Sequence, residues 1–347
     1  MSSSAAGRPL PFVSVVLPMR NEAGHLRETL GAVFAQDYPA DRMEIVVAEG
    51  GSSDGTRESL EALASARGGM TVVDNPGRIA PTGLNAAIRA SRGEIIVRVD
   101  GHTVVEPDYV TRAVEALGRT GADVVGGNMT PIGQGLFGRS VALATCTPMG
   151  VGGSRFHYAG AEEEAESVYM GVFRRDVFSR FGWFDERLVR NQDDELNYRI
   201  REGGGKIVLV PALRSVYAPR ESPAKLFRQY FQYGLYKVRV ASLHPRQARP
   251  RHLIPSAFVV ALLALLGAAP FSAAAFLLLI GLVAAHALAS LAFAFGAGRR
   301  EPAAWLLVPL VTMILHAAYG TGFLAGCGAA AMGRTPGARP GKEGLSA

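Results

Sequence analysis

Three polar clusters in this chain have residue types and spacing that could do chemistry. In Glu49-Gly50-Gly51-Ser52-Ser53-Asp54-Gly55-Thr56, glycines let backbone approach a ligand closely, and Glu49 can accept hydrogen bonds from a base N–H or ribose hydroxyls. The same segment also reads as an ordinary turn in which Asp54 or Thr56 caps a helix. In Arg98-Val99-Asp100-Gly101-His102, Asp100 and His102 lie two residues apart, so in extended backbone they face one side and can ligate a divalent cation. Oxygen donors suit Mg²⁺ or Mn²⁺, and the imidazole tilts the choice toward Mn²⁺. A simple turn is the competing reading. In Asn191-Gln192-Asp193-Asp194-Glu195-Leu196, followed by Arg199, three crowded carboxylates repel. That raises one pKa toward the range of a general base, unless a nearby cation offsets it. An acid-rich helix start is the plainer alternative. Flanking Trp183, Phe184, Leu188, Val189, Tyr198 and Ile200 favour partial enclosure of these acids.

The elements that must carry these clusters alternate. Val13 to Pro18 is a short β-branched run, and Leu26, Leu30 and Val33 within Glu22 to Phe34 have helical spacing. Strand signals return at Glu44–Ala48, Met70–Val73 and Glu94–Val99, with helical ones at Thr56–Ala66 and Gly83–Ala90. This order predicts an α/β domain with a mostly parallel central sheet covered on both faces. Ligands in such a fold sit beyond the carboxyl ends of strands, where the first two clusters lie.

Composition sets the rest. With 347 residues, 48% hydrophobic and 19% charged, the chain is neither disordered nor fibrous and is long enough for about two domains. Its two cysteines, Cys146 and Cys327, provide no disulfide framework and no cysteine zinc site, as expected in a reducing cytosol. Met1 to Pro11 lacks a basic start followed by an apolar stretch, so no export signal is expected. From Leu253 to Gly298 no Asp, Glu, Lys or Arg occurs, and Pro302 to Gly333 is a second uncharged run. A bilayer core needs about 20 apolar residues per helix. Three spans are predicted, about 253–269, 272–296 and 303–328, within a transmembrane region 253–331. They follow a cytosolic domain at 12–222 and a juxtamembrane segment at 223–252, and precede a tail at 332–347. The net charge of +6 is concentrated before the first span, at Lys225, Arg228, Lys237, Arg239, Arg246, Arg249 and Arg251, with no acid between Ser222 and Arg300. That placement marks the cytoplasmic side and speaks for contact with membrane lipid, not nucleic acid. Three spans put the tail, with Arg334, Arg339 and Lys342, on the outer side, against the same rule.

Taken in order, the clusters resemble a family 2 glycosyltransferase, the inverting, metal-dependent, nucleotide-sugar-using type with a GT-A fold. The likeness covers roughly Val13 to Gly234. Pro18-Met19-Arg20-Asn21-Glu22 is similar to the family's Pro-x-x-Asn-Glu loop, which implies nucleotide contact. Glu49, Gly51 and Asp54 fall in the acidic Gly-Ser-x-Asp-Gly-Thr segment, with Glu49 where the family usually has a base-binding Asp. Asn75 to Asn85 resembles the stretch crossing the nucleotide-sugar pocket, so Arg78 and Asn85 are implied there, with Arg78 at phosphate. Asp100 and His102 take the place of the Asp-x-Asp metal motif. Gln192-Asp193 replaces the Glu-Asp pair, which implies Asp193 as catalytic base, supported by Glu195 and Arg199. Gln229, Gln232 and Tyr233 resemble the Gln-x-x-Arg-Trp motif of membrane-bound members, an acceptor-side or interfacial position, although two of three signature positions differ.

Within that family the blend is most similar to the succinoglycan-biosynthesis, ExoA-like subgroup. The resemblance implies transfer of one sugar, foremost glucose, from a nucleotide-sugar donor, foremost UDP-linked, to a polyprenyl-diphosphate-linked saccharide in exopolysaccharide or cell-surface glycan synthesis. The implied place is a bacterial inner membrane, with the catalytic domain cytosolic. Two other readings stand beside it: a polyprenyl-phosphate monosaccharide transferase, and a non-catalytic membrane scaffold retaining a nucleotide-sugar fold. A transporter lacks an evident substrate path, since the spans hold no Asp, Glu, Lys or Arg and no imidazole other than His286 and His316.

Overall fold

A computed structural model describes residues 9–336. Strands and helices first alternate: β1 (Val13–Met19), α1 (Leu26–Phe34), β2 (Met43–Glu49), α2 (Thr56–Ala66), β3 (Met70–Asp74), α3 (Ala80–Ala90) and β4 (Ile95–Arg98). Then follow β5 (Thr103–Val105), α4 (Tyr109–Thr120), β6 (Val124–Pro131), α5 (Gly135–Thr145), α6 (Pro148–Val151), β7 (Glu163–Glu164) and β8 (Tyr169–Arg174). The domain closes with α7 (Val177–Phe181), α8 (Gln192–Glu202) and β9 (Ile207–Tyr217).

One sheet runs β3-β2-β1-β4-β8-β6-β9-β5, with β7 paired to β9. Its first four strands are mutually parallel, while β8 is antiparallel to both neighbours, and β5 and β7 are antiparallel to β9. Apolar residues on both faces of these strands explain why helices cover both sides. Val15, Leu17, Val47 and Val97 join one core with α1 and α4, whereas Val16, Val46, Ala48 and Ile96 join the other with α3 and α8. The register pairs Met19 with Glu49 and Glu49 with Asp74, so the loops after β1, β2 and β3 emerge side by side.

Helix α1 starts at Leu26, four residues later than the periodicity from Glu22 predicts. The reason is local. Asn21 is left-handed (φ 55°), and the N–H groups of Asn21, Glu22 and Ala23 donate to Ser52 Oγ, Thr56 Oγ1 and Asp54 Oδ2 instead of entering a helix.

Beyond the sheet lie α9 (Pro223–Leu243), α10 (Ile254–Ala268), α11 (Ala273–Gly298), α12 (Pro302–Leu306) and α13 (Val308–Ala331). Among the described residues, three helical stretches are long and apolar enough to cross a membrane: Pro250–Phe271, Ala273–Gly298 and Val308–Ala331. The third begins at Val308 because Pro302–Leu306 forms a short helix of its own. Helix α9, the basic-aromatic segment, packs along α13 at backbone contact. A Cβ on Gly234 would sit 2.1 Å from the Tyr319 carbonyl oxygen, and one on Gly322 2.1 Å from that of Phe231. Small residues at both sites permit this approach. Helix α5 also joins the membrane-side core, through Val141 and Ala144 against Leu226, Val308, Val311 and Leu315. Cys146 and Cys327 are free thiols.

Candidate active site

The ends of β1 and β2 form one rim of a cleft, and the end of β4 with the first turn of α8 forms the opposite one. On the first rim, Glu49 is fully buried and its carboxylate serves its own loop. Its oxygens accept from the N–H groups of Ser52 (2.6 Å) and Gly51 (3.0 Å) and from Arg57 Nε (2.9 Å). Burial would raise its pKa, but these hydrogen bonds and the Arg57 charge hold it below the usual carboxylate range. Asp54 accepts from the N–H and hydroxyl of Thr56 (3.1 and 2.6 Å) and ties down Ala23. Asn85 is likewise occupied, bridging Phe184 N–H, Phe184 C=O and Glu186 from α3. Asn21 Oδ1 accepts from Ser53 N–H at 2.9 Å.

Two cations on this rim keep their charge available. Arg20, directly after Met19 at the end of β1, packs against Gly50 with its Nε buried and without a hydrogen-bond partner, while Pro18 lies against Gly83 of α3. Arg78 lies beside Gly51, which adopts φ +70°. Neither arginine forms an ion pair among the described residues, so both suit an anionic ligand at these loops.

At the end of β4 the geometry tightens. Arg98, only 4% exposed, donates from Nε to Asp100 Oδ1 at 2.8 Å and from a terminal nitrogen to Oδ2 at 3.2 Å. Its other terminal nitrogen lies 3.8 Å from Asp193 Oδ2. One buried guanidinium thus joins the metal-motif aspartate to the expected base. Burial would raise the Asp100 pKa, but the Arg98 charge and hydrogen bonds, with the Tyr169 hydroxyl, hold it low. Asp193 goes the other way: loss of solvation raises its pKa, Arg98 opposes, and Asp194 adds repulsion. Its side chain nonetheless keeps about a third of its surface open, at 32%. His102 Nδ1 lies 3.2 Å from Glu22 Oε1, and that contact raises the imidazole pKa.

Helix α8 is fixed from the membrane side. Asp194 meets Lys237 of α9 at 2.6 Å, and its N–H donates to Asp193 Oδ1 at 3.0 Å. Glu195 faces inward, bound by Arg199 at 2.7 Å and by His244 Nε2 at 2.8 Å, so Glu195 and Arg199 brace the helix without touching Asp193. Gln232 accepts from Arg190 Nε at 3.1 Å, the Tyr233 carbonyl accepts from Asn191 at 3.3 Å, and Gln229 donates to the Tyr233 hydroxyl at 3.0 Å. Gln232 and Tyr233 therefore hold the turn that launches Asp193, while Gln229 bonds back to Tyr233 within α9.

Among the described residues no three His, Cys, Asp or Glu gather into a cation cage. Asp100 and His102 supply two donors. Two suffice for a cation that keeps its remaining positions for substrate phosphates, so the residues fit a diphosphate-bound metal. Among the described residues, the non-glycine residues with positive φ are Asn21, Arg78, Met170 and Asn191, all in segments that carry or touch these groups. Such strain concentrates at functional sites. Met170 accepts the Asp100 N–H on its sulfur at 3.4 Å. A hollow of 1190 Å³ lined by Leu10, Arg42, Glu94 and Phe178 lies at the opposite ends of the strands, away from these groups.

Three participants escaped the sequence reading: Arg98 as a bridge, Met170, and Tyr169. Arg98 carried only a partial signal, its place two residues before Asp100: β4 ends at Arg98, and Asp100 to Thr103 form a turn closed by the Thr103 N–H on the Asp100 carbonyl at 3.1 Å, not the extended backbone expected for Asp100 and His102. Met170 and Tyr169 carried none, because β8 reaches the site only through its antiparallel pairing with β4.

Comparison with known proteins agrees with this architecture. The family described as Glycosyl transferase family 2 matches residues 14–182. The succinoglycan biosynthesis protein ExoA of Rhizobium meliloti strain 1021 is 30% identical over 318 residues, covering 89% of this chain and 93% of that relative. A dolichyl N-acetyl-alpha-D-glucosaminyl phosphate 3-beta-D-2,3-diacetamido-2,3-dideoxy-beta-D-glucuronosyltransferase of Methanococcus voltae is 26% identical over 234 residues, or 65% of this chain and 73% of its own. In fold, the mannosyltransferase PcManGT of Pyrobaculum calidifontis, solved with GDP-Man and Mn²⁺, superposes with a TM-score of 0.61 at 22% identity, over 89% of this chain and 87% of that one. The sheet is that of a GT-A domain followed by three apolar helices, and the chain belongs to glycosyl transferase family 2 as a glycosyltransferase.

Proposed function

We propose that this protein transfers one sugar, foremost glucose from a UDP-linked donor, to a hydroxyl of a polyprenyl-diphosphate-linked saccharide at the cytoplasmic face of a bacterial inner membrane. The observation that carries this reading is the convergence of Asp100, Arg98 and Asp193 in one cleft whose far rim is braced by the membrane-packed helix α9. Arg20 and Arg78 meet the diphosphate, and the loop held by Asn21, Glu49 and Asp54 cradles the nucleoside. Asp193 accepts the proton of the acceptor hydroxyl. That oxygen forms its bond to the anomeric carbon as the bond to the diphosphate oxygen breaks, which inverts the configuration. Arg98 keeps Asp193 ionised against its desolvation. Asp100 and His102 would hold a divalent cation, which would supply neutralisation of the departing diphosphate charge.

A hydroxyl acceptor needs a base, whereas a lipid phosphate does not, and Asp193 with its raised pKa favours the hydroxyl. The names of the Rhizobium and Methanococcus relatives, a succinoglycan biosynthesis protein and a transferase acting on a dolichyl phosphate-linked sugar, support the same choice. Helix α9 ties the cleft to the third span, so an acceptor confined to the bilayer meets it at high effective concentration. The test is transfer by protein in bilayers to a polyprenyl-diphosphate saccharide, a free saccharide and a polyprenyl phosphate, with a panel of nucleotide sugars. Preference for the lipid-linked saccharide supports the reading. Equal use of the free sugar, or transfer to the lipid phosphate alone, contradicts it.

A further inference from the structure

Glu22 lies in the loop after β1, and its backbone position is set by the N–H bond to Thr56 Oγ1 at 2.9 Å. Its side chain is only 11% exposed and, among the described residues, meets one polar group, His102 Nδ1, at 3.2 Å. The approach is enforced by Gly101: a Cβ there would lie 3.1 Å from Glu22 Cγ and 3.3 Å from Met19 Cγ. A carboxylate can only accept, so Nδ1 carries the hydrogen in this pair. In the neutral ring the lone pair then belongs to Nε2, the form in which imidazole binds a metal. An aspartate at position 102 would instead face Glu22 as a like charge.

Resting on the cation reading of Asp100 and His102 above, we propose that Glu22 is a positioning residue. It selects the His102 tautomer and ring orientation, so that Nε2 is presented to the diphosphate-bound cation. The pair Glu22–His102 replaces what a second aspartate would do directly, and the glycine between Asp100 and His102 lets the two segments close up. Such outer carboxylates contribute about 10–100-fold in metal affinity.

The experiment is Mn²⁺ binding by electron paramagnetic resonance, without turnover, in the full chain with and without UDP. Glu22→Ala is expected to weaken Mn²⁺ about 10-fold or more, while Glu22→Gln, whose amide oxygen still accepts from Nδ1–H, stays within about threefold. In a His102→Ala background, Glu22→Ala should cost nothing further, because its effect passes through the imidazole. An equal loss in both backgrounds would make Glu22 a direct ligand or a folding residue and overturn the inference, as would unchanged affinity in Glu22→Ala. No Mn²⁺ binding by the unaltered protein would remove the cation reading itself, and this inference with it.

Discussion

The two rims of the cleft use the same residue types in opposite ways. On the nucleotide rim, Glu49, Asp54 and Asn85 place nearly all of their polar atoms on the chain itself, fastening loops to one another. On the base rim, Asp100, Arg98 and Asp193 form a desolvated charge triad whose outermost member stays open to an incoming group. An acid saturated by N–H groups of its own loop and by Arg57, as Glu49 is, builds a scaffold. Acids whose charges meet at one buried arginine, as Asp100 and Asp193 do at Arg98, remain responsive to what binds.

The contrast can be broken in graded steps. Cation removal by chelation acts on the base rim alone and should lower transfer about 10³-fold, read as restored turnover on adding Mn²⁺ back. Arg98→Met leaves Asp100 buried without its counter-charge and should cost about 3–5 kcal/mol in denaturant unfolding. The same variant loses the attraction that opposes the raised Asp193 pKa. If transfer needs Asp193 ionised, its acid limb should fall above the ordinary aspartate range and move higher still in Arg98→Met, read from the pH dependence of transfer. Asp100 has the reverse sign: its pKa is held low, so the stability it contributes is present above the unfolded value and disappears as pH falls through the folded one. The smallest effect belongs to the nucleotide rim. Asp54→Ala removes the acceptor of the Thr56 N–H and hydroxyl and of the Ala23 N–H and should cost about 1 kcal/mol of stability, with transfer near normal once the folded fraction is matched.

Much of this was legible in the chain. Alternating apolar runs gave β1 to β4 and their helices, because a parallel sheet buried on both faces leaves a strong local signature. The uncharged runs gave the three membrane-length helices. What could not be read depends on distant pairing. Strand β8 brings Tyr169 and Met170 beside Asp100 from 70 residues away, with no periodicity to announce it. Nor does any local pattern say that Glu195 turns inward to Arg199 and His244 while Asp193, two residues earlier, faces the cleft. The Gly234 and Gly322 contact was present as small residues, yet its meaning required knowing that α9 lies against α13.

The most direct test is Asp193→Asn, assayed for donor binding and for transfer to the lipid-linked saccharide in the same preparation. The substitution removes a desolvated charge with a raised pKa, so stability at neutral pH should hold or rise. Donor and Mn²⁺ binding should persist while transfer falls about 10²-fold or more. Near-normal turnover in that variant would contradict the assignment of the base, and with it the account of the cleft.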